Sequence, residues 1–323
     1  MLPLEGKVAV VAGATRGAGR GIARALGEAG AVVYCTGRSV RGNPVTPNRP
    51  ETIDETAEII NAAGGTAHAV RVDHADEQQV AALFERVRRE QQGLDILVND
   101  IWGGEDLTEF GKTFWEVSVD KGFRMLRQAI DTHIITSRHG APLLLETGGG
   151  LIVEVTDGNS FGYRGNLFYD LVKSSVIRLA FGMAYELRRR NVTAIAITPG
   201  FLRSEAMLEH FGVTEANWEE GAKKDPNFAA SESPRFVGRA IAALAADPDV
   251  AKKSGRVLAS WDLAEEYGFT DADGRRPHWG KHFTMTRKEM ESMYPGYGDF
   301  AALRAQWDPD NVFANSLIHD LFD

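Results

Sequence analysis

The sequence predicts an α/β fold, a parallel sheet covered by helices on both faces, and three observations predict it. Short valine-rich apolar runs alternate with helical patterns along most of the chain. The runs are apolar at nearly every position, as strands buried on both faces must be. A glycine-rich turn, GATRGAGRG, follows the first run directly and opens the first helix.

Residues 7–12 form the first strand, and the helix after the turn is closed by Gly30. Residues 31–36 give the second strand, and Pro44, Pro47 and Pro50 punctuate a loop before the helical TIDETAEIINAAGG. Strands recur at 66–72, 94–99, 151–156 and 192–198, with helical patterns between them, among them roughly 113–138 and 165–189. SGRVLAS at 254–260 supplies a last short strand. Beyond Ala264 the periodicity fades. The expected organisation is a dinucleotide-binding catalytic domain over 1–264, with an insertion at about 201–233 that carries Trp218 and Phe228 as a lid. Residues 265–323 then form an extension packed on the domain or on a partner subunit; their many aromatics argue against a disordered tail.

Composition narrows the class of protein. At 323 residues the chain can bury a substantial core, and its 43% apolar and 25% charged content is that of a soluble globular protein. A net charge of −9 and a pI near 5.5 argue against nucleic acid as a partner. The single cysteine, Cys35, rules out an intrachain disulfide framework, and neither a membrane-length apolar run nor a signal-peptide pattern is visible. A cytoplasmic location is expected. The eight histidines form no metal-ligand pattern, so no metal is assigned.

Gly13, Gly17 and Gly19 make a GxxxGxG turn, which lets backbone N–H groups approach a pyrophosphate at the positive end of a helix. Thr15, Arg16 and Ala18 lie within it. The second strand ends in TGRS, which offers Arg38 where an NAD-preferring site would place an acid. Two guanidiniums, Arg16 and Arg38, suit a 2′-phosphate, so NADP is expected over NAD. Asp73 is placed to touch the adenine, and Asn99 closes the fourth strand nearby.

Together with the tyrosine–lysine pair Tyr169/Lys173 and with Pro199-Gly200 after the sixth strand, these motifs resemble the short-chain dehydrogenases/reductases over residues 5–260. The nearest likeness is to mammalian DHRS-type and uncharacterised bacterial members with an extended C-terminus. The resemblance implies a Rossmann-like doubly wound fold with a seven-stranded parallel sheet, hydride transfer between a nicotinamide cofactor and a carbonyl or alcohol, and homodimers or homotetramers. It also implies that Lys173 holds the nicotinamide ribose and that Ser204 touches the cofactor amide.

The pair has its own chemistry. Carbonyl reduction needs a proton donor at the oxygen, and a phenol of reference pKa about 10 needs help to serve near neutrality. A lysine one helical turn away favours the phenolate. The family's orienting serine is where this chain departs. Thirteen residues before Tyr169 stands Thr156, the expected substitute; an ungapped match favours Asp157 instead, and Ser160 is a third candidate. Asp100 and Asp120 stand where the family has asparagines, Asp120 in its proton relay, and Glu154 adds further acid. Such acids fit a cationic or polyol substrate, a raised carboxyl pKa, or a fold that has lost the usual chemistry. Trp102, Phe161, Tyr163, Phe168 and the segment 201–207 are the expected pocket walls. Two functions remain open: an NADP-dependent reductase using Tyr169, Lys173 and Thr156, and a cofactor-binding protein of weak activity with a structural or regulatory role.

Overall fold

Alternation within β1 (Val8–Ala12) sets up the two cores. Ala9 and Val11 face one layer of helices, and Val8 and Val10 face the other. The computed structural model describes residues 2–46, 48–271, 274 and 297–307. They fall into two units, Met1–Pro277 and His278–Asp323. In the second unit the described residues include one helix, α10 (Tyr297–Trp307). The expected extension over 265–323 therefore lies mostly outside the described residues.

In the first unit seven strands form one sheet in the order β3-β2-β1-β4-β5-β6-β7, and every pairing is parallel. After β1 the strands are β2 (Val32–Gly37), β3 (Thr66–Arg71), β4 (Ile96–Asn99), β5 (Gly150–Val155), β6 (Val192–Thr198) and β7 (Val257–Ala259). Helices α1 (Gly17–Glu28), α2 (Ile53–Ala62) and α8 (Pro234–Ala246) meet the core around Ile22, Val33 and Ile241. Helices α3 (Glu77–Gln91), α5 (Thr132–Thr147) and α6 (Leu167–Leu187) meet the one around Leu83, Leu97 and Leu143. This is the doubly wound architecture that the sequence predicts.

Caps fix several helix starts. Thr52 accepts from Glu55 N–H ahead of α2, Asp76 from Gln78 and Gln79 ahead of α3, and Asn166 from Tyr169 ahead of α6. The single helix expected over 113–138 is instead α4 (Val119–Leu126), a π-turn at Arg127–Asp131, and then α5. The apolar pattern continues through the π-turn, which adds a residue to the local turn without a glycine or proline to mark it.

Between β6 and α8, residues 201–233 carry helix α7 (Glu205–Phe211) and two 3₁₀ turns. Phe211, Trp218 and Phe228 form a small aromatic core separate from the two beside the sheet, with Phe201 and Met207 packed on it. A short bridge pairs Leu202 with Glu232. Helix α9 (Ser260–Tyr267) follows β7.

Candidate active site

Strand order reverses between β1 and β4, and loops leave their C-terminal ends in opposite directions, which opens a crevice there. A cavity of about 800 Å³ fills it. Thirteen of the residues singled out from sequence line it: Gly13, Thr15, Arg16, Gly17, Ala18, Arg38, Asp73, Thr156, Tyr169, Lys173, Pro199, Gly200 and Ser204. Asp100, Trp102, Asp157, Gln128 and Phe201 line it too.

The glycine turn is built for close approach. Gly13 sits at φ +94°, and a Cβ on it would lie 2.3 Å from the Asp100 carbonyl oxygen. One on Gly19 would lie 2.2 Å from the Gly13 carbonyl oxygen. Gly19 is thus a packing glycine that does not itself line the cavity. Two carboxylates meet the first turn of α1. Gly17 N–H donates to Glu205 Oε2 at 2.8 Å, and Gly19 N–H donates to the Asp100 carboxylate. Burial pushes Asp100 up to about 7, against the opposing charges of Lys173 and His133.

The two arginines that line the cavity differ. Arg16 is paired with Glu105 at 3.0 Å and donates to Thr46. Arg38 is half-buried and has no hydrogen-bond or ion-pair partner among the described residues. Asp73 caps its own turn by accepting from Ala75 N–H at 3.0 Å.

Tyr169 and Lys173 share one face of α6. The Tyr169 hydroxyl donates to Asp157 Oδ2 at 2.8 Å. Trp102 and Phe110 hold the ring edge-on at 5.5 and 5.6 Å. Lys173 Nζ lies 4.5 Å over the Trp102 ring and 5.5 Å from the centre of the Tyr169 ring. Burial lowers the Lys173 ammonium from its usual value, while Asp157 and Asp100 act in the opposite sense. The expectation that Lys173 brings the phenol down is not met in this arrangement. Burial, reinforced by the charge and hydrogen bond of Asp157, raises Tyr169 far above the ordinary phenol range.

Other expectations also need correction. Thr156 lines the cavity, but its hydroxyl donates to the Lys173 carbonyl at 2.8 Å and so splices β5 to α6. Asp157 is the residue that touches the tyrosine hydroxyl. Ser160 is exposed and accepts from Gly162 N–H. Asp120 is exposed in the first turn of α4 and lies off the cavity. The helix is deformed about two turns later, at the π-turn, where Gln128 faces the cavity; its buried Oε1 has no partner among the described residues. Of the expected aromatic walls, Trp102 and Phe201 serve, whereas Phe161 and Tyr163 are exposed and Phe168 packs against Phe123. Trp218 and Phe228 are buried in the small core of the insertion.

Asn99 is not at the cavity wall. It is fully buried beneath it, and its Nδ2 donates to Glu154 Oε1 at 2.7 Å and to Ser137 Oγ at 2.8 Å. Glu154 also meets His133 Nδ1 at 2.5 Å, and His133 Nε2 meets the Ile101 carbonyl at 3.0 Å. A carbonyl cannot donate, so Nε2 carries a hydrogen, and the Nδ1–Glu154 contact shares one further proton. Sequence reading missed His133. The available signal was Glu154 itself, an acid in an apolar strand that needs a buried partner. Glu232 was missed as well: its carboxylate accepts from Gly200 N–H and from Ser260 Oγ at 2.6 Å, and burial pushes it up to about 8. No group of three possible metal ligands occurs among the described residues, and no described helix is long and apolar enough to cross a membrane.

Comparison with known proteins bears on this site. The family model for short chain dehydrogenase matches residues 7–212. A second model, for D-arabinono-1,4-lactone oxidase, matches residues 252–321, most of them outside the described residues. Dehydrogenase/reductase SDR family member 1 of Mus musculus is 39% identical over 278 residues, 84% of this chain and 85% of that protein. The 7alpha-hydroxysteroid dehydrogenase of Clostridium sardiniense is 31% identical over 211 residues, 65% of this chain and 76% of that one. Among solved structures, a Beutenbergia cavernae protein described as an NAD(P)-dependent gluconate 5-dehydrogenase, with NADP at low occupancy, superposes with TM-score 0.63. It is 27% identical and covers 80% of this chain and 96% of that one.

Proposed function

The chain belongs to the short-chain dehydrogenase family and is an oxidoreductase of that family, and we propose that it uses NADP(H), with Tyr169 as the acid/base group, to interconvert an alcohol and a carbonyl compound. The observation that carries this reading is a single cavity holding the glycine turn, an Arg38 without a partner among the described residues, Tyr169 and Lys173. The residues fit such a cofactor: Gly13 and Gly17, at φ +94° and +54°, line the cavity and leave no side chain between it and the start of α1, as close backbone approach to a pyrophosphate requires. A nicotinamide bound here supplies or accepts the hydride. Arg38 receives the 2′-phosphate, and Asp73 stands beside the adenine. Lys173 binds the ribose, Tyr169 holds the proton at Oη, and Asp157 orients that hydroxyl. Segment 201–233 covers the substrate. Exposed Phe123, Ile134, Phe181 and Tyr185 on α4, α5 and α6 support assembly into homodimers or homotetramers through these faces.

Titration with NADPH and NADH, read by tryptophan quenching, tests the cofactor. The expected result is tighter NADPH binding. Arg38→Ala is expected to weaken NADPH about 10- to 100-fold, the worth of charge-assisted hydrogen bonds, and to leave NADH nearly unchanged. Equal losses for both, or tighter NADH in the parent, would overturn the assignment.

Glu205 gives a second handle. Its carboxylate already occupies the helix end that a phosphate would approach. Glu205→Gln is therefore expected to tighten NADPH about three- to tenfold at low salt, and less at high salt. Unchanged or weaker binding would mean that Glu205 does not oppose the cofactor.

A further inference from the structure

We propose that Asp157 is the terminal acceptor of the reaction's proton, taking it through Tyr169, so that the resting site receives an alcohol rather than a carbonyl compound. This rests on the reading of Tyr169 as the acid/base group.

A phenol has one proton, and Tyr169 directs its own at Asp157 Oδ2, 2.8 Å away. To an incoming molecule Tyr169 therefore offers lone pairs only. An alcohol can donate to them. A carbonyl oxygen finds no proton there, and the nearby Thr156 proton is committed to the Lys173 carbonyl. Lys173 faces Asp157 from α6, and Arg164, in the loop before α6, donates through Nε to the Asp157 carbonyl. Of the acids nearby, Asp170 pairs with Arg164 at 2.8 Å, and Asp100, from the end of β4, accepts from Gly19 N–H.

The step balances. The alcohol O–H proton passes to Tyr169 Oη as Tyr169 releases its own to Asp157 Oδ2. The carbinol C–H bond breaks, its electron pair leaves as hydride to the oxidised nicotinamide, and the C=O bond forms. Asp157 ends as the carboxylic acid and returns its proton to water. In a site lacking Asp157 the phenolate itself would have to be the base.

The overall equilibrium constant is not the protein's to change, so Asp157 cannot favour one direction at a fixed pH. What it sets is the pH at which the proton acceptor titrates, and both directions share that limb. With cyclohexanol plus NADP⁺ and cyclohexanone plus NADPH as probes, wild-type oxidation should stay level through neutral pH. Reduction should fall tenfold per pH unit over the same range. Asp157→Ser should move the limb upward by at least about two pH units, from carboxyl towards phenol. Asp157→Asn keeps the shape without the basicity; it should follow the serine variant if the proton matters, and wild type if only shape does. Coincident limbs in all three proteins would overturn the inference.

A second readout needs no turnover. Ultraviolet difference absorbance, with Tyr169→Phe subtracted, should show no phenolate from Tyr169 in wild type up to about pH 11. In Asp157→Ser it should appear at least about one pH unit lower than in wild type. Equal ionisation in both proteins would also overturn the inference. Full turnover by Tyr169→Phe, or failure to bind either nicotinamide, would instead bring down the functional reading beneath it.

Discussion

Tyr169→Phe is expected to lower turnover about 10²- to 10⁴-fold, the usual worth of a positioned acid/base group, with NADPH affinity unchanged. The substitution removes one hydroxyl and nothing else. The ring keeps its edge-on contacts with Trp102 at 5.5 Å and Phe110 at 5.6 Å, and its place beside Met125, Val172 and Val176. Asp157 loses one hydrogen bond, but it is only half-buried and water can replace the hydroxyl. Stability should therefore shift by no more than about 1 kcal/mol. Steady-state rates followed by nicotinamide absorbance, paired with a denaturation curve, separate the two effects. A tyrosine with only a structural role would move the curve and leave the rate alone. That pattern would also revive the alternative of a cofactor-binding protein without catalysis.

The second large effect concerns stability. Glu154→Ala is expected to cost about 3–5 kcal/mol, because it strands the buried His133, Asn99 and Ser137 without their shared carboxylate. Glu154→Gln should cost less than about 1.5 kcal/mol. The amide oxygen can still accept from Asn99, and its NH₂ can donate to the Nδ1 lone pair of a neutral His133. The opposite nitrogen keeps its hydrogen on the Ile101 carbonyl. The comparison asks whether the charge or the hydrogen bonds matter. Urea denaturation of both variants decides it. Equal costs would mean that the carboxylate charge, and not its hydrogen-bonding shape, holds the cluster together.

Much of the fold was legible because the relevant signals are local. A buried parallel strand must be apolar at every position, so the runs at 192–198 and 94–99 announced themselves to within two residues of β6 and β4. The glycine turn and the Tyr169/Lys173 pair are likewise short-range patterns whose meaning depends only on the element that carries them. The misreadings have a common physical origin. Thr156 and Asp157 are neighbours at the end of β5, and a strand sends adjacent side chains to opposite faces. Counting back from Tyr169 cannot tell which one meets its hydroxyl; only the fold of the 157–166 loop does. The position of Asp120 was read through a continuous helix, and the π-turn at Arg127–Asp131 broke that continuity. Glu205 and Gly17 are 188 residues apart, and His133 and Glu154 are joined across two elements. Nothing in sequence spacing links them.

The small aromatic core of residues 201–233 has a consequence for how such a chain can diversify. Phe211, Trp218 and Phe228 pack on one another and on Phe201 and Met207, apart from the two layers beside the sheet. Repacking among these aromatics is therefore buffered from the sheet-side cores, while Glu205 and Glu232, near the two ends of the segment, stay tied to Gly17 and Ser260. Its middle, between those two ties, can be rewritten in length and composition, by natural variation or by grafting from a relative, while the glycine turn and α1 stay in place. Under the proposed function, selection can alter what is recognised in one cassette and leave Tyr169 and Lys173 untouched.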